Sequence, residues 1–240
     1  MLIVDRETGI RCRTKVASYN LFVGVWYKRE YAVPHIPIRR GDVVLDIGAN
    51  QGFFACLAAH LGARVYAFEP DPESFERLLS NVELNGFSES VVAKPWAISD
   101  HAGSADLLVS KELGGAMSTI VPGFSEKTGM HLARTVSVPC HTLSEVFDLF
   151  SLSRVRLCKM DVEGSELAIL RSLSPAHIST TDSFAMEVHP QAYPVQELLG
   201  LLSAWGTHQI SFNDQDEFAA PIIRLTSTRT LLNEFMGEHD

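Results

Sequence analysis

The sequence predicts an α/β domain: a seven-stranded, mostly parallel sheet with helices on both faces. Three observations predict it. From residue 43 onward, short apolar runs alternate with segments of helical spacing, and that alternation gives parallel strands joined by crossover helices. Glycines and prolines fall at the joins between them. Polar residues gather just after the apolar runs, where the carboxyl ends of parallel strands present ligand sites.

Residues 1–40 read as an irregular leader or lid segment, rich in aromatics (Tyr19, Phe22, Trp26, Tyr27, Tyr31) and carrying Pro34 and Pro37. A short helix fits Tyr19 to Tyr31. The domain proper is expected over 41–240. Val43–Ile47 reads as a buried strand, Gly48–Gly52 as a loop, and Phe53–Leu61 as a helix stopped by Gly62. Arg64–Phe68 is the second strand. Pro72 suits the first turn of a helix that ends at Asn85-Gly86. Val91–Ile98 reads as the third strand. Residues 103–140 read as an insertion forming a substrate loop, with strands near Ala105–Val109 and Thr135–Pro139 and a flexible Lys111–His131 between them. Thr142 caps a helix to Phe150. Val155–Met160 and Ser183–Val188 are further central strands, separated by a helix over Ser165–Leu173. A helix over Val195–Ala204 and strands at His208–Phe212 and Ile222–Leu225 complete the chain.

The 240 residues are 46% hydrophobic and 20% charged, enough to bury a core without a disulfide or metal staple. Lys and Arg total 20 against 29 Asp and Glu, a net charge of −9. That balance argues against a nucleic-acid partner, since phosphate-tracking surfaces are basic. The four cysteines, Cys12, Cys56, Cys140 and Cys158, form no CxxC pair, and the pattern suits a reducing compartment. The first apolar stretch ends at Asp5 and Arg6, unlike a signal peptide. The longest charge-free stretch, Ile47–Ala63, is too short and polar to span a bilayer. A soluble, cytoplasmic protein with no membrane partner is expected. Oligomeric state is left open, a homodimer included.

The loop after the first strand reads Asp46-Ile47-Gly48-Ala49-Asn50-Gln51-Gly52. Gly48 and Gly52 permit a tight turn close to a ligand. Asn50 stands where a GxGxxG motif has its second glycine, which argues against a dinucleotide enzyme. An acid inside an apolar strand is costly. Asp46 therefore reads as facing a cationic or amine-bearing ligand, or else as satisfying loop amides. Glu69 ends the second strand, where an acid can accept both hydroxyls of a ribose; the plainer reading is a solvated strand-end glutamate.

The segments VVLDIGANQGFFA, FEPDPESFERLLSNVELNG, AISDHAG, KMDVEGSELAIL and MEVHP resemble, in order and spacing, the FkbM-type family of class I, Rossmann-like S-adenosylmethionine-dependent methyltransferases. The resemblance spans roughly residues 30–190. It implies S-adenosyl-L-methionine as cofactor, S-adenosyl-L-homocysteine as product, and methylation of a hydroxyl on a small molecule such as a natural product or sugar. Carried over position by position, Asp46, Gly48, Ala49, Asn50 and Gly52 lie around the amino-acid end of the cofactor. Glu69 matches the ribose-binding acid, and Pro70 and Asp71 lie by the adenine edge. Ala97 and Ile98 match the stretch against which adenine packs. The family's asparagine two places before that alanine is Pro95 here. Trp96 stacks on adenine or fills the core. Glu30 aligns with an acid often seen before the first strand.

Asp161 and Glu163 are two apart, as are Glu187 and His189, so an extended backbone turns each pair to one side. Asp161, also counted with the cofactor residues, joins Glu163, Glu187 and His189 as the candidate catalytic set. Methyl transfer to a hydroxyl needs alignment and a proton acceptor. Either His189 or Asp161 is the base, or Asp161, Glu187 and His189 hold Mg²⁺ or Mn²⁺; no metal is expected. Glu166 reads as a favourable charge at a helix N-terminus. The runners-up are an N- or C-methyltransferase, a non-catalytic binding protein of the same fold, and an NAD-dependent oxidoreductase.

Overall fold

The computed structural model describes residues 1–110, 117–205, 208–213 and 222–236. The leader is ordered rather than irregular. Leu2–Val4 (β1) and Arg11–Arg13 (β2) form an antiparallel hairpin. Tyr19–Val23 (α1) runs into a wider helical turn over Gly24–Lys28, which stops at Arg29 in the left-handed conformation.

Val43–Ile47 (β3) is followed by Phe53–His60 (α2), Arg64–Phe68 (β4), Pro72–Leu84 (α3) and Val91–Lys94 (β5). Seven of the eight α2 residues are buried. A helix with no polar face must be covered on both sides. The sheet covers one side. Phe22, Val25 and Trp26 of the leader share one buried cluster with Phe53, Phe54 and Leu57, and Phe22 meets Phe53 edge-to-face at 5.6 Å. Segment 1–40 is thus part of the domain core. The hairpin is tied to α3 as well: the Arg11 and Arg13 amides donate to Asn85 and Asn81 side chains at 2.9 and 2.7 Å.

The expected third strand is broken in two. Pro95 cannot donate to a ladder, so β5 ends at Lys94. Ala97–Ser99 (β6) leaves the central sheet and joins Gly103–Ser110 (β7) and Leu132–Thr142 (β8) in a separate three-stranded sheet of order β6-β8-β7. Within the expected loop Lys111–His131, Phe124–Thr128 (α4) is a short helix; residues 111–116 lie outside the described residues. Leu143–Leu149 (α5) opens with a capping box from Thr142 and Glu145.

Leu157–Met160 (β9), Glu166–Ser172 (α6), Pro175–Ser179 (α7), Ser183–Glu187 (β10), Val195–Trp205 (α8), His208–Asn213 (β11), Ile222–Ser227 (β12) and Thr228–Met236 (α9) follow. Helices α7 and α9 were not foreseen. The central sheet has seven strands in the order β11-β12-β10-β9-β3-β4-β5. The pairs β10–β9, β9–β3, β3–β4 and β4–β5 are parallel, while β12 is antiparallel to both neighbours. From β3 the chain builds outward in one direction through β4 and β5, and later in the other through β9 and β10. The switch point, where a crevice opens at the carboxyl ends, therefore lies between β3 and β9. Among the described residues, no helix is long and apolar enough to cross a membrane.

Candidate active site

Two adjoining cavities open over that switch point. They share Gly48, Asn50, Asp161 and Glu163. The smaller, about 50 Å³, is a cleft with Glu69 and Pro70 in its wall and an apolar lining that includes Trp96, Ile98, Leu107 and Ile120. The larger, about 740 Å³, is walled by Leu21, Val25, Phe53, Phe54, Met117 and Phe124 and also lined by Glu30, Tyr31, Lys159, Glu187 and His189.

The loop after β3 is shaped by its backbone. Gly48 has φ +73, and a Cβ there would run into the Asp161 carbonyl, so only glycine lets the two strand ends approach. Asn50 has φ +49, a conformation asparagine tolerates. Its amide donates to Glu69 Oε2 at 2.7 Å, and the Asp71 amide donates to Oε1 at 2.8 Å. Glu69 is 7% exposed. Burial outweighs those two hydrogen bonds and pushes its carboxyl up to about 7. A carboxylate fixed this way retains lone pairs that can accept hydroxyls. With the apolar side chains of Trp96, Ile98, Leu107 and Ile120 beside it, the cleft has the chemistry of a nucleoside site. The residues present fit S-adenosylmethionine.

Trp96 packs in the core and also faces the cleft. Its ring stacks on Phe68 at 5.9 Å and lies 4.1 Å from His141, while it also lines the cleft, as does Ala97. Ala49 lines the larger cavity. Three of the expected cofactor contacts lie elsewhere. Asp46 is fully buried and lines neither cavity; its counter-charge is internal, Lys159 Nζ at 3.1 Å from Oδ1. The expectation of a cationic ligand at Asp46 is therefore corrected. Asp71 accepts from the Ser74 amide at 3.0 Å and caps α3, so it faces the helix and not adenine. Gly52 begins α2, with Leu78 against it.

Lys159 carried no expected role. Burial works against its charge, yet Asp46 and Asp161 hold the ammonium above the usual lysine range. It donates to the Gly48 carbonyl at 2.6 Å, pinning the loop to β9. Its ammonium also lies 5.2 Å from the centre of the Tyr31 ring.

At the larger cavity the structure brings Asp161, Glu163, Glu187 and His189 together. Glu163 Oε2 lies 3.2 Å and Glu187 Oε1 3.7 Å from His189 Nε2. His189 Nδ1 donates to Glu166 at 2.8 Å. Glu166 is fully buried and also accepts from the Val162 and Gly164 amides at 3.2 and 3.3 Å. It is thus the group that orients His189, beyond a favourable charge at the start of α6. Burial alone would lower the imidazole, but the bonds to Glu163 and Glu166 outweigh it and push it up to about 11. With a carboxylate near each ring nitrogen the imidazolium is favoured, which weighs against the expected role of His189 as base. Glu187 takes the opposite course: burial, reinforced by Asp161, pushes its carboxyl up to about 8. Ligand atoms of Asp161, Glu187 and His189 lie within 4.8 Å of one another, close enough to share a cation if His189 gave up its proton. Tyr31, also unforeseen, reaches in from the leader and donates to Asp161 Oδ2 at 3.0 Å.

Comparison with known proteins bears on the family and the fold. The profile of the methyltransferase FkbM domain matches residues 46–215. The chain is 27% identical to 31-O-demethyl-FK506 methyltransferase FkbM of Streptomyces tacrolimicus, over 88% of this chain and 89% of that one. It is 27% identical to hexuronic acid methyltransferase AglP of Haloferax volcanii, over 68% of this chain and 62% of that one. The crystal structure of methyltransferase FkbM from Methylobacillus flagellatus superposes with a TM-score of 0.57 at 15% identity. It covers 85% of this chain, which spans only 47% of that longer one. The fold is that of the Rossmann-like class I methyltransferases, and the chain belongs to the FkbM family of S-adenosylmethionine-dependent methyltransferases.

Proposed function

We propose that the protein methylates a hydroxyl group of a small molecule held in the larger cavity. One observation carries this reading: Glu187, a carboxyl that burial raises above its ordinary range, stands in a cavity that shares Gly48, Asn50, Asp161 and Glu163 with the nucleoside cleft. A general base works best when its pKa lies near the working pH. The names of two relatives, which refer to 31-O-demethyl-FK506 and to a hexuronic acid, point the same way.

S-adenosylmethionine, when bound, supplies a methyl group activated by the sulfonium it leaves. Glu69 accepts the ribose hydroxyls, and the slot between Trp96 and Ile98 takes the base. The Gly48–Asn50 loop, pinned by Lys159, sets where the two cavities meet. Glu187 takes the hydroxyl proton. The His189 imidazolium, fixed by Glu166, keeps Glu163 and Glu187 in register. Tyr31 holds Asp161 through its hydroxyl. These tasks align donor and acceptor and remove one proton, which is what an in-line displacement asks of a protein. No metal is required. The alternative, a divalent cation on Asp161, Glu187 and His189, is favoured by their mutual reach and would lower the hydroxyl pKa directly.

Calorimetric titration with S-adenosylhomocysteine, with NAD⁺ as control and Glu69→Ala alongside, tests the cleft. Binding of the first ligand only, lost in the variant, is expected; no binding would sink the reading. Methyl transfer to candidate hydroxyls, with and without EDTA and in Glu187→Gln, tests the larger cavity. Transfer insensitive to EDTA and strongly reduced in Glu187→Gln is expected. Transfer abolished by EDTA would establish the metal route. A nearly unchanged rate in Glu187→Gln would exclude Glu187 as the base.

A further inference from the structure

The insertion between β7 and β8 reaches the active site through one side chain. Met117 lines the larger cavity, while Ser118 and Ile120 line the nucleoside cleft. Thr119, between them, is buried and lines neither. Its backbone pairs with Leu108 of β7: the Leu108 amide donates to the Thr119 carbonyl at 2.8 Å, and the Thr119 amide donates back at 3.1 Å. That pairing fixes where the side chain starts. The hydroxyl oxygen accepts from the Val121 amide at 3.0 Å, and the hydroxyl donates to the Glu163 carbonyl at 2.7 Å. A threonine hydroxyl has a single proton to give. Here it goes to the loop that carries one of the candidate catalytic acids.

The Glu163 backbone needs such a hold. Its φ is +49, in the left-handed region that residues with a Cβ rarely occupy. Strain of this kind persists only where the surroundings impose it, and it gathers at functional sites. Gly164 follows at φ +105, hemmed in by Ala192 and Phe124, which a Cβ would meet. The chain therefore turns sharply between β9 and α6, and the turn decides where Glu163 points. Its Oε2 lies 3.2 Å from His189 Nε2. Glu166 takes His189 Nδ1 and the Val162 and Gly164 amides, which leaves Nε2 to Glu163. We infer that Thr119 is a positioning residue: its hydroxyl holds the Glu163 carbonyl in the left-handed turn and so keeps the Glu163 carboxylate on His189 Nε2. The catalytic meaning of this rests on the hydroxyl-methylating reading given above, to which it adds a residue of the insertion that governs the charge facing Glu187. The insertion then sets the acceptor site as well as walling it.

Proton NMR of the intact protein with isotope-labelled histidine, recorded at neutral pH without ligands, tests the inference. The ring N–H signals missing in His189→Asn belong to His189, and the one of these missing in Glu163→Ala belongs to Nε2. In the parent a carboxylate holds each ring proton, so both signals should be visible. Thr119→Val keeps the shape of the side chain and removes the hydroxyl. It should lose the Nε2 signal and retain the Nδ1 signal, because Glu166 is untouched. Thr119→Ser should restore the Nε2 signal. Thr119→Val added to Glu163→Ala should change nothing further, since the group it positions is already gone. Loss of neither signal in Thr119→Val would overturn the inference, as would an Nε2 signal absent from the parent. Loss of both signals would show a general loosening of the fold, and the same loss in Thr119→Ser would show packing rather than the hydroxyl; either result also overturns it. Failure of the methyltransferase reading is distinguishable, because it appears as absent S-adenosylhomocysteine binding by the parent, whereas the ring signals are read with no ligand present.

Discussion

Glu69 is placed where, on the proposed reading, its charge serves a ligand, and where burial makes that charge cost the fold. Its carboxyl stands at about 7 against an ordinary 4.5, so the native state holds a proton that the unfolded chain has already released. Stability then falls as pH rises, because the slope follows the excess of protons bound by the unfolded state, which here is negative. The contribution is intact below pH 4.5 and is lost progressively up to about 7. The rise from 4.5 to about 7 is worth about 3 kcal/mol in full, most of which falls between pH 5 and 8.

Glu69→Gln removes the titration. It also sets an amide NH₂ against one of the two amides, of Asn50 or Asp71, that now donate to the carboxylate, a penalty of about 1–3 kcal/mol that does not vary with pH. The two effects separate cleanly. Urea unfolding of parent and variant at half-unit steps from pH 5 to 8 gives a stability difference at each pH, and groups common to both proteins cancel. The parent should lose about 2–3 kcal/mol relative to the variant over that range. A difference that stays constant, or that moves in favour of the parent as pH rises, would refute the placement of a strained carboxyl at the end of β4. The same group should release a proton when ribose hydroxyls bind near pH 7. Calorimetry with S-adenosylhomocysteine in buffers of different ionisation enthalpy reads that directly.

Gly48→Ala should abolish S-adenosylhomocysteine binding, since a Cβ meets the Asp161 carbonyl at a backbone φ of +73; calorimetric binding within ten-fold of the parent would contradict it. With saturating cofactor, the transfer rate should rise with pH and reach half its plateau near 8, because Glu187 must be ionised to accept a proton; a rate that falls with pH across 7–9 would exclude it as base. Glu187→Gln should lower the maximal rate by about 10²–10⁴, measured with the same acceptor. Tyr31→Phe removes the hydroxyl that donates to Asp161 and should destabilise the protein by about 0.5–1.5 kcal/mol in urea unfolding.

Most of the sheet is legible in the sequence because buried parallel strands advertise themselves. Val43–Ile47 and Arg64–Phe68 are short, mostly apolar runs bounded by turn residues, and both match their strands residue for residue. The Thr142 cap is local chemistry too, whereas Asp71, which reads as an adenine contact, caps α3 through the Ser74 amide. What escapes is whatever depends on distant partners. The break at Pro95 was visible, yet the destination of β6 depends on β8, more than thirty residues away. The leader looked irregular because no single stretch of it carries a full period. The signal lay in α2, whose apolar character on every side requires a second covering layer.

The site divides along the same line. Glycine at 48 and the acids at 69, 161 and 187 stand out because unfavourable residues at strand ends demand a reason. Their partners do not stand out. Lys159 inside β9 reads as one more residue of a motif until Asp46 is found 3.1 Å away, and the pair then accounts for a buried acid that had been assigned to a ligand. His189 reads as a base until Glu166 and Glu163 are found on its two nitrogens. Two carboxylates on one imidazole make it a fixed cation, and a fixed cation in front of Glu187 changes which residue can take the proton. The role of each group follows from the charge beside it, and here that charge is supplied across strands β3, β9 and β10 rather than along any one of them.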